Sequence, residues 1–235
     1  MTDLSQKDRA RNVKSMIFLR KIAPGLIVLL LFAQPAAALC PCLKCLTGAY
    51  ESFQPVAGSM KPAIEPGACV LVERGAPVDR GSIIVFRHPL TPEVSYVKRL
   101  IGLPGDVIEL RAGQVVLNGI AVPQTPTAPY AQVMRPEGPQ GAVPPCPASL
   151  AAGETCAIPR LTETLPNGAS YDVLDIGPDS FADTGGPFTV PPGHAFVLGD
   201  HRDNSADSRF PQVAGGLGFI PAANILGPVV EITNP

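Results

Sequence analysis

Three short stretches carry residues that could do chemistry together: "GSMKP" at 58–62, "SYVKRLIGLPGD" at 95–106 and "GDHRDNSADSRF" at 199–210. Ser59 stands between Gly58 and Met60, just ahead of Pro62, Pro66 and Gly67. Gly-Ser pairs are ordinary loop chemistry, so by itself the stretch reads as a turn, with a nucleophile held on a bend as the alternative. Lys98 shares a strand face with Tyr96 and Leu100, while Val97 and Arg99 take the other. A lysine among large apolar residues either snorkels to the edge or is held in a partly apolar pocket. In the second case burial disfavours the ammonium, pulls the pKa from about 10.4 towards neutrality and leaves a general base. Residues 199–210 read by default as a solvated loop, and they lack the glycine and distal glutamate of an EF-hand calcium loop. His88, His194 and His201 show no metal-ligand spacing, although His201 leaves a Ser-His-Asp arrangement open.

The elements that must position these residues are β-strands. "ACVLVER", "SIIVFR", "VSYVKRLIG", "DVIELRA" and "QVVLNGIAV" are short, rich in Val, Ile and Leu, and bounded by Gly, Pro or charge. Turns are expected at Asp79–Gly81, at "LPGD", at "RAGQ" and at Asn118-Gly119, the last a strong type I′ signal. From about Ala121 to Pro192 lysine vanishes, periodicity weakens and half of the 28 prolines occur. That stretch reads as an inserted, loop-rich β-lobe. "GHAFVLGD" and "GFIPAANILGPVVEIT" then return as strands, so a β-rich core whose last strand rejoins the first set is expected.

At 235 residues and net charge −2, with 46% hydrophobic residues, the chain is neither disordered nor a basic nucleic-acid binder. The absence of Trp and of a Gly-rich phosphate loop argues against base stacking and nucleotide binding. Charge is uneven along the chain. Lys7, Arg9, Arg11, Lys14, Arg20 and Lys21 crowd the first 21 positions against Asp3 and Asp8, and residues 22–43 carry no charge. A helix over 22–43 would span about 33 Å, enough for a hydrocarbon core of roughly 30 Å. The positive-inside rule puts the basic tail 1–21 in the cytoplasm and everything after residue 44 outside it. The same stretch also resembles a secretory signal, with Ala36 and Ala38 spaced as an A-x-A cleavage site; both readings export the C-terminal part.

Cysteine usage agrees with export. Cys146 and Cys156 bracket a Pro- and Gly-containing loop and suit a small disulfide. Cys40, Cys42 and Cys45 lack a fourth metal ligand nearby, so an unpaired or mutually bonded cluster is expected. Cys69, alternating with apolar neighbours, reads as a buried small hydrophobe.

"GSMKP", "RGSIIVF", "YVKRLIGLPGD" and "GDHRDNSADSR" occur in the order, and at roughly the intervals, of the boxes of bacterial type I signal peptidases, which this chain resembles. These are membrane-anchored Ser-Lys endopeptidases. The resemblance implies Ser59 as nucleophile and Lys98 as base, Ser205 orienting the lysine amine, and the Ser59 backbone N–H facing the oxyanion. It also implies structural support from Arg99, Asp200, Asp207 and Arg209, and shallow pockets from Phe53, Met60, Ile64, Tyr96 and Val97. The implied fold is mostly β: a catalytic core in two parts, 44–120 and 193–235, an inserted Pro-rich lobe over 121–192, and a transmembrane anchor over 22–43. No cofactor and no metal is needed by such chemistry. The implied partners are exported preproteins and membrane lipid, for a single-pass monomer of the bacterial inner membrane with its catalytic domain outside the cytoplasm.

Three positions depart from the family pattern. Ala57 stands where many members carry a Ser or Thr hydroxyl that helps hold the oxyanion, Val56 stands where proline is usual, and Ser82 replaces the aspartate of "RGD". Two rival readings follow: an enzyme of the same chemistry dedicated to one pilin- or conjugation-type substrate, and a catalytically inactive, membrane-tethered peptide-binding domain, which Ala57 favours.

Overall fold

The computed structural model describes residues 40, 42–138, 141–177, 180 and 182–235. The expected cytoplasmic tail, Ala36-x-Ala38 and all of the expected anchor except residues 40, 42 and 43 lie outside the described residues. Among the described residues no helix is long and apolar enough to cross a membrane.

The described chain is mostly β, and turn chemistry sets the strand boundaries. The first strands are β1 (Tyr50–Phe53), β2 (Cys69–Glu73), β3 (Ile83–Arg87), β4 (Ser95–Gly102), β5 (Val107–Arg111), β6 (Gln114–Leu117) and β7 (Ile120–Ala121). Between β5 and β6, Ala112 and Gly113 both have positive φ (48° and 80°); between β6 and β7, Asn118 and Gly119 do the same (52° and 81°). These are the mirror-image turns whose twist matches antiparallel strands, as "RAGQ" and Asn118-Gly119 led us to expect. Asn118 does more than turn. Its Oδ1 accepts from the Val107 N–H at 2.8 Å and its Nδ2 donates to Asp106 Oδ1 at 2.8 Å, tying the hairpin to the "LPGD" turn.

The remaining strands are β8 (Gln124–Val133), β9 (Thr155–Thr164), β10 (Ser170–Leu174), β11 (Gly185–Thr189), β12 (His194–Leu198), β13 (Ile220–Pro221) and β14 (Ile225–Thr233). A seven-stranded antiparallel sheet runs β1-β2-β14-β3-β4-β12-β13, so the last strand does rejoin the first set, between β2 and β3. This order puts β12, and the polar run that follows it, beside β4 and Lys98. A four-stranded sheet runs β11-β5-β6-β7 and a three-stranded one β10-β9-β8.

The region 121–192 is more regular than its weak periodicity suggested. β8 and β9 are ten residues each, and most β8 side chains are exposed, which is why no apolar alternation announces it. Its prolines are accommodated without breaking the pair. The β8–β9 register shifts between Thr127 and Tyr130, where Pro129 and Pro159 fall, and β8 lies at the edge of its sheet. Nor is the region a separate body. β11 pairs with β5, and Leu165, Tyr171 and Val173 share one apolar cluster with Ile101, Ile108 and Phe196 of the core.

Candidate active site

Ser59 lies on a single 3-10 turn, Gly58–Met60, in the loop between β1 and β2. Met60 and Ile64 are fully buried with Val70, and Phe53, Ile83 and Val97 pack on them, so the turn is pinned from below by apolar side chains. From the other side the His201 N–H donates to the Ser59 carbonyl at 3.1 Å. Gly199, at the end of the "FVLG" strand, permits that approach. A Cβ there would lie 2.3 Å from Ser205 Oγ and 2.6 Å from the Ser59 carbonyl oxygen.

Lys98 extends from β4, opposite Ile84 of β3. Its Nζ lies 2.6 Å from Ser59 Oγ and 3.0 Å from the Val97 carbonyl oxygen, with the residue 3% exposed. Burial pulls the amine down to about 8; the fields of Asp207 and Asp200 oppose this and Arg209 adds to it. At neutral pH roughly a tenth of the molecules then carry a neutral amine in contact with the hydroxyl, which is what a general base requires. The buried-pocket alternative holds for Lys98, and the snorkelling one does not.

Ser205 is buried close by, but its Oγ has no hydrogen-bond partner among the described residues, and the lysine amine donates its second bond to the Val97 carbonyl instead. Phe53, Met60, Ile64 and Val97 gather in one cluster around the turn. Tyr96 packs elsewhere, against Phe86 and His88, although its ring centroid is 6.0 Å from Lys98 Nζ.

Buried ion pairs brace this arrangement. Arg99 grips Asp200 with two bonds of 2.7 and 2.6 Å, and its guanidinium lies 4.0 Å over the Tyr171 ring. Asp207 accepts from Arg209 and also from the Gly199 N–H at 3.0 Å, which holds the loop beneath Ser59. Arg202 makes a further two-bond pair with Glu163 of β9, at 2.9 and 2.6 Å, both side chains buried. Glu163 and Tyr171 come from the region 121–192, whose residues offered no signal of a role at the site. Such partners are chosen by topology and carry no local motif.

One open alternative closes, and the cysteine expectations are corrected. His201 is fully buried, neither ring nitrogen has a hydrogen-bond partner among the described residues, and burial pushes its pKa down to about 4, so among those residues no Ser-His-Asp arrangement forms. Cys69 is not a free hydrophobe: it is bonded to Cys40, which therefore does not join the expected cluster with Cys42 and Cys45. Cys42 and Cys45 bond to each other, and Cys146 and Cys156 form the expected bridge. A hollow of about 220 Å³ beside Cys40–Cys69 shares no residue with the Ser59–Lys98 pair.

One acidic cluster escaped the sequence reading. Asp175, Asp183 and Asp203 bring carboxylate oxygens within 4.8 Å of one another, the one group among the described residues with spacing that could hold a cation. Burial and the two neighbouring carboxylates push Asp175 up to about 6. The Ser59–Lys98 pair lies outside this group.

Comparison with known proteins agrees with the geometry. The family described as "Signal peptidase, peptidase S26" matches residues 26–233. Signal peptidase I of Rickettsia typhi is 36% identical over 156 residues, covering 63% of this chain and 49% of that protein. Signal peptidase I of Pseudomonas aeruginosa is 32% identical over 198 residues, covering 75% and 62%. The chain thus spans about half to three-fifths of the length of these relatives. The crystal structure of a signal peptidase I from Enterococcus faecalis V583 is 24% identical and covers 66% of this chain and 98% of its own, at a TM-score of 0.34. The family match takes in the Ser59 turn, the Lys98 strand and the polar run 199–210 together, and the chain belongs to the signal peptidase family, peptidase S26.

Proposed function

We propose that this chain is a serine endopeptidase that removes signal peptides from exported preproteins after A-x-A-type sites, with Ser59 as nucleophile and Lys98 as general base. The observation that carries the reading is the 2.6 Å approach of a desolvated lysine amine to a half-buried serine hydroxyl. Neutral Nζ accepts the Ser59 proton as Oγ attacks the scissile carbonyl carbon. The ammonium so formed is held by the Val97 carbonyl, then donates its proton to the leaving amine as the peptide C–N bond breaks. Water then attacks the acyl carbon as Nζ takes its proton, and the lysine returns that proton to Ser59 Oγ as the ester C–O bond breaks. The oxyanion of each tetrahedral intermediate faces the Ser59 backbone N–H, and Ala57 adds no donor.

In this reading the small side chains of an A-x-A site meet the half-buried Phe53 and Val97 around the turn, backed from within by the buried Met60 and Ile64, with Tyr96 further along β4. Ser205 orients the amine in this reading, its hydroxyl turning to Nζ when the ammonium forms. The uncharged run 22–43 supports a single-pass anchor in the bacterial inner membrane, the basic tail inside and the catalytic domain outside. The disulfides suit an oxidising compartment there. Preproteins are the partners, with lipid at the rim of the site.

The test is cleavage of a preprotein bearing an A-x-A site by full-length protein in detergent, with the cut mapped by mass. Cleavage after the second alanine should vanish in both Ser59→Ala and Lys98→Ala. Binding without cleavage by the wild type would instead favour the inactive peptide-binding reading, for which Ala57 speaks.

A further inference from the structure

The nucleophile turn is gripped by a buried polar network that the catalytic scheme leaves unused. Lys61, two residues after Ser59, is 3% exposed, and no ordinary surface lysine is so enclosed. Its Nζ lies 2.5 Å from Glu137 Oε1, 3.5 Å from Gln132 Oε1 and 3.9 Å from Glu65 Oε2. Glu65 in turn accepts from the Tyr130 hydroxyl. Tyr130, Gln132 and Glu137 all belong to β8 and the arm that follows it, so three residues of the region 121–192 converge on the segment 61–65 of the nucleophile loop.

The contact reaches the turn itself. A Cβ at Gly58 would lie 2.5 Å from Glu137 Oε2 and 3.2 Å from Lys61 Cε. Gly58 has no positive φ, so its bearing on the turn is one of space: the Glu137 carboxylate and the Lys61 stem sit where a side chain would stand and would have to shift for one. The arm also comes close to Ala57, whose Cβ is 3.7 Å from where a Cβ on Gly138 would be. A charge pair of this kind is costly to bury and is a poor way to gain stability alone, since apolar residues of the same size would do as well. What it supplies is a fixed distance between two chain segments.

We propose that Lys61 and Glu137 are positioning residues of the active site: their ion pair clamps the inserted arm onto the Gly58–Met60 turn and holds Ser59 in register with Lys98. The proposal rests on the serine-peptidase reading given above. It makes the region 121–192 a working part of the site, acting through the Ser59 backbone and touching no reacting atom.

The test compares full-length wild type, Glu137→Gln, Lys61→Met and the double variant, each checked for a native near-ultraviolet spectrum. Two readouts are taken: kcat and KM on an A-x-A peptide well below the melting temperature, and hydrogen exchange at the Lys61 and His201 amides. Those amides bond to the Gly58 and Ser59 carbonyls and so report the turn. Both single variants should lose roughly tenfold in kcat with KM within about twofold, as expected for a misplaced nucleophile. The double variant should lose no more than either single one, because the pair acts as a unit. Exchange at both amides should quicken. Folded single variants with unchanged kcat, or losses that multiply in the double variant, would overturn the clamp and leave a purely structural pair. If the wild type cleaves nothing, the peptidase reading fails, and exchange alone decides the clamp: quickened amides in Glu137→Gln uphold it and unchanged amides sink it.

Discussion

Replacing Lys98 by methionine should stabilise the protein at neutral pH while abolishing activity. Burial pulls the amine from its ordinary 10.5 to about 8, against the fields of Asp207 and Asp200. Below about pH 8 both folded and unfolded chains hold the proton, and the native state bears the full cost of burying it, roughly 3 kcal/mol at about 1.4 kcal/mol per pH unit. As pH rises from about 8 to 10.5 the folded state releases the proton first. The unfolded state then binds more protons, so stability climbs with pH over that window and levels off above it. Methionine matches the length of the stem and carries no charge. It removes the cost and forfeits the contacts to Ser59 Oγ and the Val97 carbonyl, worth about 1 kcal/mol net. The balance is a gain of about 2 kcal/mol at pH 7, or about 4–8 °C in Tm for a domain of this size. Urea and thermal unfolding of both proteins at pH 7, 9 and 10.5 isolate the effect, since other titrating groups cancel in the difference. A difference that stays constant between pH 8 and 10.5, or a methionine variant less stable than wild type at pH 7, would refute the desolvation argument. The same physics fixes the rate profile: kcat/KM should rise roughly tenfold per pH unit and level near pH 8. A midpoint above pH 10 would mean that Lys98 works as an ordinary exposed amine.

Ala57→Ser puts a hydroxyl where the family resemblance implies an oxyanion donor, and kcat on an A-x-A peptide should rise roughly tenfold, a fraction of what an oxyanion donor supplies elsewhere; an unchanged kcat would show that the site already has its full complement. Gly199→Ala forces a Cβ to within 2.3 Å of Ser205 Oγ and 2.6 Å of the Ser59 carbonyl. It should cost about 1–3 kcal/mol in urea unfolding and on the order of a hundredfold in kcat, and wild-type kinetics would contradict the packing described. Glu163→Gln leaves the buried Arg202 guanidinium without its counter-charge and should lose about 3–5 kcal/mol of stability by denaturant midpoint. A loss under 1 kcal/mol would mean that solvent reaches the pair.

What could be read along the chain was what local physics encodes. Strand faces follow a period of two, so Tyr96 and Leu100 fall in one apolar cluster and Val97 in another. Turns follow from which residues tolerate positive φ, so the hairpins at Ala112-Gly113 and Asn118-Gly119 stand where their residues required. Ser59 and Lys98 could be singled out together, although 39 positions separate them, because the short box around Ser59 stands in order with the longer ones around Lys98 and at 199–210. The ten-residue β8 was illegible because an exposed edge strand needs no apolar alternation and its prolines hide in a register shift.

Tertiary structure alone decided which buried charge met which partner. Lys61 and Glu137 are 76 positions apart, Arg202 and Glu163 are 39 apart, and Cys40 and Cys69 are 29 apart. A side chain's type states that its charge must be compensated if buried, but the compensating group is whichever one the sheet order brings alongside. The sequence of this chain therefore determined that it carries a serine, a lysine and the strands to present them. Tertiary packing decided that the lysine is dry beside Ser59, that His201 is buried, and that the nucleophile turn is held from both sides, by the Met60 and Ile64 cluster on one and the His201 N–H on the other.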